Sequence, residues 1–402
     1  MPSNDVKETL IVKQLEENLS QLDHVRLLPQ RPLISRLPIL GTLYRLVARI
    51  ILLGRMWSKQ SLFNQAVSQG LLFSLQKEEM GSLNSNAGDN VTFSPIPLPV
   101  EKPFNIALDN DDRVDPIQSE IRNKKYKTPS TYEAAFNLIS NGDKVIDIGA
   151  HIGTFSFGAE SLGAQVLSVD ASRKNVELMR QSIARNQVLN LSVLHAAVGE
   201  YTDIVRFVEA GAWGFVSMSA DQDHILVPQI TVERLINSAG WEKVDLIKID
   251  VEGSEVGVLK GMKKILMQPE APVIICESNR PVMHQVAQTT PKDIRRILIQ
   301  NGYSIYQITP FSLIPVTLED IQIDTYTDYL CCKTPDELFS QMSEKWKIRD
   351  PYTEDEIVNK ILQEAVYDDP SYKLSLKLVF QELPPEIYRR EELKSVRERV
   401  RL

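Results

Sequence analysis

Acidic side chains recur in this chain at the places where buried apolar runs give way to turns. Asp147 lies in VIDI just before Gly149, and Asp170 closes the run VLSVD. Asp250 and Glu252 follow LIKI, and Glu277 follows VIIC. In open α/β sheets, ligands bind outside the carboxyl ends of the strands. Acids gathered there can hold amino and hydroxyl groups or accept a proton from a reacting hydroxyl.

The run KVIDIGAHIGTFSF, Lys144 to Phe157, reads as a strand, a glycine turn and a helix that opens near Thr154. Gly149 and Gly153 frame the turn, where glycine permits positive φ and close approach of a ligand. The helix N-terminus supplies free N–H groups and a positive dipole end, which suits a carboxylate. Asp147 suits an amino group on the same ligand. By itself this pattern also describes an ordinary connection with packing glycines. The turn GAHIG lacks the central glycine of the dinucleotide pattern GxGxxG, which weighs against a nicotinamide cofactor.

Asp170 follows Gly149 by 21 residues. An acid at the end of the second strand at about that distance is where a ribose is held through its hydroxyls. In LSVLHAAVGE a short strand ends at His195. Ala196, Ala197 and Val198 then offer a flat apolar slot for an adenine ring, while His195 reads as a partly buried structural histidine. In KVDLIKIDVEGSEVGVLKG, Asp250 and Glu252 stand between a buried strand and a helix that opens near Ser254. Each is either a base or clamp for an acceptor, or a cap for that helix. Glu277, ending the next strand, is a third candidate for the same work. A divalent ion could bridge such carboxylates, but nothing in their spacing demands one, and no metal ligands are assigned. The segment from Glu209 to Ile230, with Trp213 and His224, is either a loop over the acceptor or a surface hairpin. Lys248 sits among apolar neighbours in its strand with its role open.

Together IDIGAHIGTFS, VLSVDAS, LHAAVGE, VDLIKIDVEGSEVGVLKG and IICES resemble the FkbM-type family of class I methyltransferases that use S-adenosylmethionine (SAM). The resemblance covers about 140 to 200 of the 402 residues, and the block around KIDVEGSE is its most specific part. It implies a doubly wound, Rossmann-like α/β sheet of seven strands whose last strand runs antiparallel. It implies SAM as cofactor, with Asp147, Gly149 and Gly153 at the methionine end and Asp170 on the ribose. Ala197 and Val198 would flank the adenine, and Asp250 would face the reaction centre. The family commonly has Asn where this chain has His151; histidine also donates a hydrogen bond, so His151 joins the cofactor-binding set.

The elements that must position these residues occupy one of four zones. Residues 1–77 read as helical, with an apolar stripe after Ser3 and a second helical stretch from about Ile39 to Leu75. Within the latter, Leu43 to Trp57 is the most apolar window, interrupted by Arg45, Arg49 and Arg55. It is either a packed or coiled-coil helix, or a helix lying at residues 39–57 on an anionic membrane surface. Spanning is disfavoured, because three arginines are expensive in hydrocarbon. Residues 78–103, rich in Gly, Ser, Asn and Pro, read as a linker or ordered loop. Residues 104–335 alternate strand and helix patterns, the mark of stacked βαβ units. Residues 336–402 are charged and helical, with a capping box at Thr353 and Glu356 and a tail read as a solvated appendage.

A net charge of −8, from 45 basic and 53 acidic residues, argues against broad nucleic-acid binding. Three cysteines without a CxxC pair give neither a disulfide framework nor a zinc site, and no secretory signal opens the chain. The expected location is the cytoplasm, with a peripheral position at the inner membrane face if residues 39–57 bind lipid. The N-terminal pattern also resembles leader segments of bacterial enzymes of surface-polysaccharide assembly. The expected reaction is therefore O-methylation of a hydroxyl on a glycan or small natural-product acceptor. The alternatives are a nicotinamide-dependent oxidoreductase, or a non-catalytic SAM-binding partner in a polysaccharide-assembly complex.

Overall fold

Short runs rich in valine and isoleucine, bounded by turns, form strands that are covered on both faces, as parallel sheets require. Val145, Ile146, Ile148, Val169, Ile247 and Ile249 are each 1% exposed or less. The computed structural model describes residues 72–73, 91–97, 104–111, 115–217, 219, 223–343 and 346–400. Leu72–Tyr201 with Val205–Leu402 forms one compact unit. The other unit, Met1–Leu71 with Thr202–Ile204, falls outside the described residues except for its last three. The helical readings up to Leu71 and the window at residues 39–57 therefore lie outside the described residues.

In chain order the strands are β1 (Leu72–Phe73), β2 (Val91–Ile96), β3 (Phe104–Asp109), β4 (Lys144–Ile148), β5 (Gln165–Asp170) and β6 (Leu191–His195). There follow β7 (Ala197–Val198), β8 (Asp203–Val208), β9 (Phe215–Ser217), β10 (Ile225–Ile230) and β11 (Leu246–Ile249). The last are β12 (Val273–Asn279), β13 (Ser304–Thr309), β14 (Ser312–Val316), β15 (Tyr326–Cys332) and β16 (Lys347–Ile348).

The main sheet has the order β1-β6-β5-β4-β11-β12-β15-β13-β14-β16. Strands β6, β5, β4, β11 and β12 are mutually parallel, and β15 runs antiparallel between β12 and β13. The doubly wound sheet with a final antiparallel strand is thus present. Among the described residues it has ten strands rather than seven, because β1 extends one edge, and β14, paired with β13, and then β16 extend the other. Chain order reverses between β4 and β11, which makes the carboxyl ends of those strands the place where a ligand crevice opens.

Three local readings change. Leu72–Phe73, inside the stretch read as helical, pairs antiparallel with β6. Val91–Ile96, inside the stretch read as a linker, pairs with β3 across the boundary placed at residue 104. The C-terminal tail is packed rather than solvated: Leu376, Val379, Ile387, Leu393 and Val396 form their own apolar core with Ile323. Its capping box at Thr353 and Glu356 is present.

The helices that bear on the crevice are α1 (Pro116–Arg122), α2 (Ser130–Phe136), α3 (Thr154–Ser161), α4 (Arg173–Asn186), α5 (Val232–Ser238), α6 (Glu255–Gly261), α7 (Lys263–Leu266) and α8 (Arg280–Ala287). Helix α8 packs on the C-terminal helix Pro370–Glu382. Arg280, 2% exposed, reaches Glu382 at 3.4 Å and also donates to the Gln322 carbonyl. The segment Glu209–Ile230, left open between a loop and a hairpin, contains a 3-10 turn at Gly211–Trp213 and strands β9 and β10. These belong to a small sheet ordered β7-β10-β8-β9.

Candidate active site

At the carboxyl ends of β4, β5 and β11 lies a cavity of about 260 Å³. Gly149, His151, Asp170, Ala197, Val198, Asp250, Glu252 and Glu277 all line it. Asp147 and Gly153, placed by sequence at the same site, do not. Asp147 is fully buried behind the wall, and Gly153 is packed against Met179 and Phe157. The small sheet contributes Phe207 and Val216, and the 3-10 turn contributes Trp213.

The glycine turn is built by close approach. Gly149 has φ +76°, and a Cβ there would lie 1.6 Å from the Asp250 carbonyl oxygen. Only glycine lets the β4 and β11 termini come so near. Gly153, with φ +89°, is the N-cap of α3. His151 also takes a left-handed φ of 52°, and its backbone N–H donates to Asp170 Oδ2 at 2.8 Å. The other Asp170 oxygen accepts from the Ser172 N–H at 2.8 Å and from Asn175 Nδ2 at 3.2 Å. Burial raises the Asp170 pKa, and these donors work against that rise. A carboxylate has about four lone-pair sites and three donors are already in place, so Asp170 keeps capacity for one hydroxyl donor on the cavity side. Ala196, Ala197 and Val198 give the adjoining wall its flat apolar surface.

His195 does not line this cavity. Its Nε2 lies 3.0 Å from the Ala171 carbonyl, and burial lowers its pKa to about 4. It is a neutral histidine of the wall.

The register of β4 against β11 sets Lys248 opposite Asp147. Lys248, 4% exposed, lies 2.9 Å from Asp250 Oδ2 and 3.6 Å from Asp147 Oδ1. Burial opposes the ammonium charge, yet Asp250 and Asp147 outweigh it and hold its pKa well above the usual lysine range. Asp147 also accepts from Ser156 Oγ at 2.5 Å, while its Oδ1 has no hydrogen bond. Burial pushes its pKa up, with Lys248 pulling the other way.

Asp250, Glu252 and Glu277 each bring one carboxylate oxygen within 4.8 Å of the others. That separation would let them share a metal ion. Glu252 has a left-handed φ of 48°, an uncommon state for a side chain of its kind. Burial first, then the charges of Asp250 and Glu255, push its pKa up to about 8. Burial and the charges of Asp250, Glu252 and Asp328 raise Glu277 well above the carboxylate range. Its Oε2 is buried without a hydrogen-bond partner. Helix α6 begins at Glu255, with Ser254 as its N-cap and no side-chain cap hydrogen bond; Glu255 Oε1 accepts from the N–H groups of the preceding turn, Gly253 at 2.9 Å and Val251 at 3.3 Å.

Three contributors were not assigned from sequence. Lys248 carries the one signal available there, a lysine inside a buried strand. Asp328 stands directly opposite Glu277 in the β12–β15 register, accepts from Thr131 Oγ1, and has its pKa raised to about 6, chiefly by burial. Tyr132 of α2 lines the cavity and lies beside Lys248. Neither has a local sequence signature.

A second cavity, of about 540 Å³, adjoins the first and shares Trp213, Val216 and Glu252 with it. Its far wall is Val282, Gln285 and Val286 of α8. Trp213 is 52% exposed.

Residues 147–305 match the family described as the methyltransferase FkbM domain. No curated protein sequence matches the chain. Among solved structures, the chain is similar to a precorrin-6y C5,15-methyltransferase from Geobacter metallireducens, at 10% identity and a TM-score of 0.30, over 52% of this chain and 94% of that one. It is also similar to TYW2 from M. jannaschii in complex with AdoMet, at 12% identity and a TM-score of 0.31, over 61% and 85% of the two chains. Likenesses of that size carry no inference beyond themselves; the family match and the sheet order do. They replace the nicotinamide alternative, and residues 147–305 are a methyltransferase domain of the FkbM family, a class of enzyme whose methyl donor is S-adenosylmethionine.

Proposed function

We propose that this chain transfers the methyl group of SAM to a hydroxyl of a glycan or a small natural product. The observation that carries the reading is the position of Glu252. It lines both the cavity walled by Asp170 and Ala197 and the larger cavity beside Trp213. When bound, SAM supplies an electrophilic methyl group on a sulfonium. Asp170 is the group for its ribose hydroxyls, Ala197 and Val198 for the adenine, and the turn Gly149–Gly153 for the amino-acid end. Asp147, in this reading, acts through Lys248 and Ser156 rather than by direct contact.

The acceptor side belongs to the carboxylates. Glu252, with a pKa near 8, is matched to taking a hydroxyl proton near neutral pH, where a general base contributes roughly 10²–10⁴-fold. Asp250, neutralised by Lys248, and Glu277 clamp the acceptor as hydrogen-bond partners. A phosphate or carboxylate on the acceptor would oppose ionisation of Glu252 still further, which favours a neutral polyhydroxyl compound. Trp213 and Phe215 offer the aromatic surface on which the apolar face of such a ring packs. Orientation of the two reactants supplies the larger share of the acceleration, about 7–11 kcal/mol in well-aligned systems. The arginine-interrupted window Leu43–Trp57 extends the proposal to lipid-linked or growing glycans at the inner membrane face.

The test is a labelled-methyl transfer assay against fractionated neutral glycans and cell extract, with the product identified by mass spectrometry. Asp170→Ala should weaken SAM binding at least tenfold, since a hydrogen bond to a charged group is worth about 1.5–3 kcal/mol. Unchanged affinity in that variant removes the donor assignment. Labelled product confined to amines or acidic acceptors removes the acceptor assignment.

A further inference from the structure

The donor cavity has a wall that no motif announced. Pro116 and Ile117, at the start of α1, line it together with His151 and Asp170. The residue before them, Asp115, has a side chain with no exposure to solvent, and the His151 side chain is 16% exposed. Asp115 Oδ2 lies 2.6 Å from His151 Nε2. Its Oδ1 accepts from the Gln118 N–H at 3.0 Å, which caps α1. Gln118 in turn accepts from the Asp109 N–H at the end of β3, at 2.8 Å. One carboxylate therefore ties the glycine turn to the start of α1 beside it.

We infer that Asp115 is a positioning residue for the methyl donor, acting through His151 to fix the turn that presents Asp170. The inference rests on the donor half of the proposed function. His151 is held in a left-handed backbone conformation that a non-glycine residue keeps only when its surroundings enforce it. Gly149 and Ala150 anchor the turn to the Val169 carbonyl and Gly153 closes it on Ala150; His151 itself is held by two contacts, its N–H on Asp170 and its ring on Asp115. Releasing the ring leaves His151 with the Asp170 contact alone, and the amide that orients Asp170 then loosens. Asp115 Oδ1 accepts from the Gln118 N–H. When His151 Nε2 carries the proton, Oδ2 accepts as well, and an amide, with its single acceptor oxygen, then keeps either the cap or the histidine contact. Burial works against the Asp115 charge, but the hydrogen bond and charge of His151 keep its pKa below the usual value. The acids that face His151 here are Asp115 and Asp170.

The experiment is a double-mutant cycle on the full chain, with S-adenosylhomocysteine as the probe in calorimetric titration. Asp115→Ala and His151→Ala should each weaken its binding about tenfold. The double variant should be no weaker than the weaker single one, and Asp115→Asn should fall between wild type and Asp115→Ala. Melting temperatures without ligand are recorded alongside, because a merely structural role lowers them and leaves affinity intact. Wild-type affinity in folded Asp115→Asn or Asp115→Ala overturns the inference, as does a double variant whose loss is the product of the single losses. If Asp115→Ala does not fold, the cycle is run with Asp115→Asn and the same outcomes decide. Asp170→Ala separates the two readings: if that variant keeps full affinity, the donor site is misplaced; if it loses affinity while the Asp115 variants do not, only the positioning role falls.

Discussion

Lys248 is enclosed between two carboxylates, and its removal tests whether the site is held together electrostatically. Lys248→Met keeps most of the side-chain volume and deletes the charge. What remains is Asp147, fully buried, with one hydrogen bond from Ser156 and an Oδ1 that has none. Deleting one partner of a buried ion pair costs about 3–5 kcal/mol, because the other charge is left without compensation. Asp250 adds little to that loss, since its side chain is 34% exposed and water can reach it. Urea titration of wild type and variant, with unchanged slope, reads the difference directly. The pH dependence has a definite sign. Without the ammonium, the folded-state pKa of Asp147 rises further above its unfolded value. Such an acid contributes full stability at low pH and loses it as pH rises through the folded pKa. The penalty of Lys248→Met should therefore be smaller at about pH 5 than at about pH 8. Asp147→Asn combined with Lys248→Met should recover most of the loss. A penalty under about 1 kcal/mol, an equal penalty at both pH values, or a double variant no better than the single one refutes the reasoning.

Other outcomes follow from the same geometry. Gly149→Ala places a methyl group 1.6 Å from the Asp250 carbonyl at a φ of +76°; it should destabilise the fold by about 2 kcal/mol or more and abolish S-adenosylhomocysteine binding in calorimetry. If Glu252 is the base, the rate of methyl transfer should fall as pH is lowered through about 8, where its carboxylate takes up a proton. Glu252→Gln should then lower the rate by roughly 10²–10⁴-fold and flatten that limb of the profile. Replacing Arg45, Arg49 and Arg55 with Glu in the full chain should end flotation with anionic vesicles; equal flotation of both proteins would dismiss the membrane-facing part of the proposal.

Much of the donor half of the site is written in local sequence. A run of β-branched residues that ends at a glycine turn specifies a buried strand and where it stops. The side chain at that stop must then lie at the sheet edge, which is how Asp170 and Asp250 are placed without coordinates; Glu277, read as ending its strand, lies within β12, which runs on to Asn279. The same logic placed Asp147 one residue too boldly: it lies within β4, and alternation turns it into the wall rather than the cavity. The C-terminal tail misled because charge dominates its composition, while a few spaced apolar residues bury against one another.

What only the tertiary structure decided is which distant residues meet. Lys248 faces Asp147 because β11 pairs with β4 in one register, across about a hundred residues of chain. Glu277 faces Asp328 for the same reason in β12 and β15. Asp115 reaches His151 only because α1 packs over the turn. Local backbone preferences and apolar periodicity are properties of a few neighbouring residues, so sequence alone determines the central parallel strands, the glycine turn and much of the acidic edge, but not β1 or β2. Register and helix docking are set by packing over the whole core, where a shift of one residue reverses which face a side chain takes. The charge balance of the site, and with it the division of work among its carboxylates, therefore belongs to the folded structure.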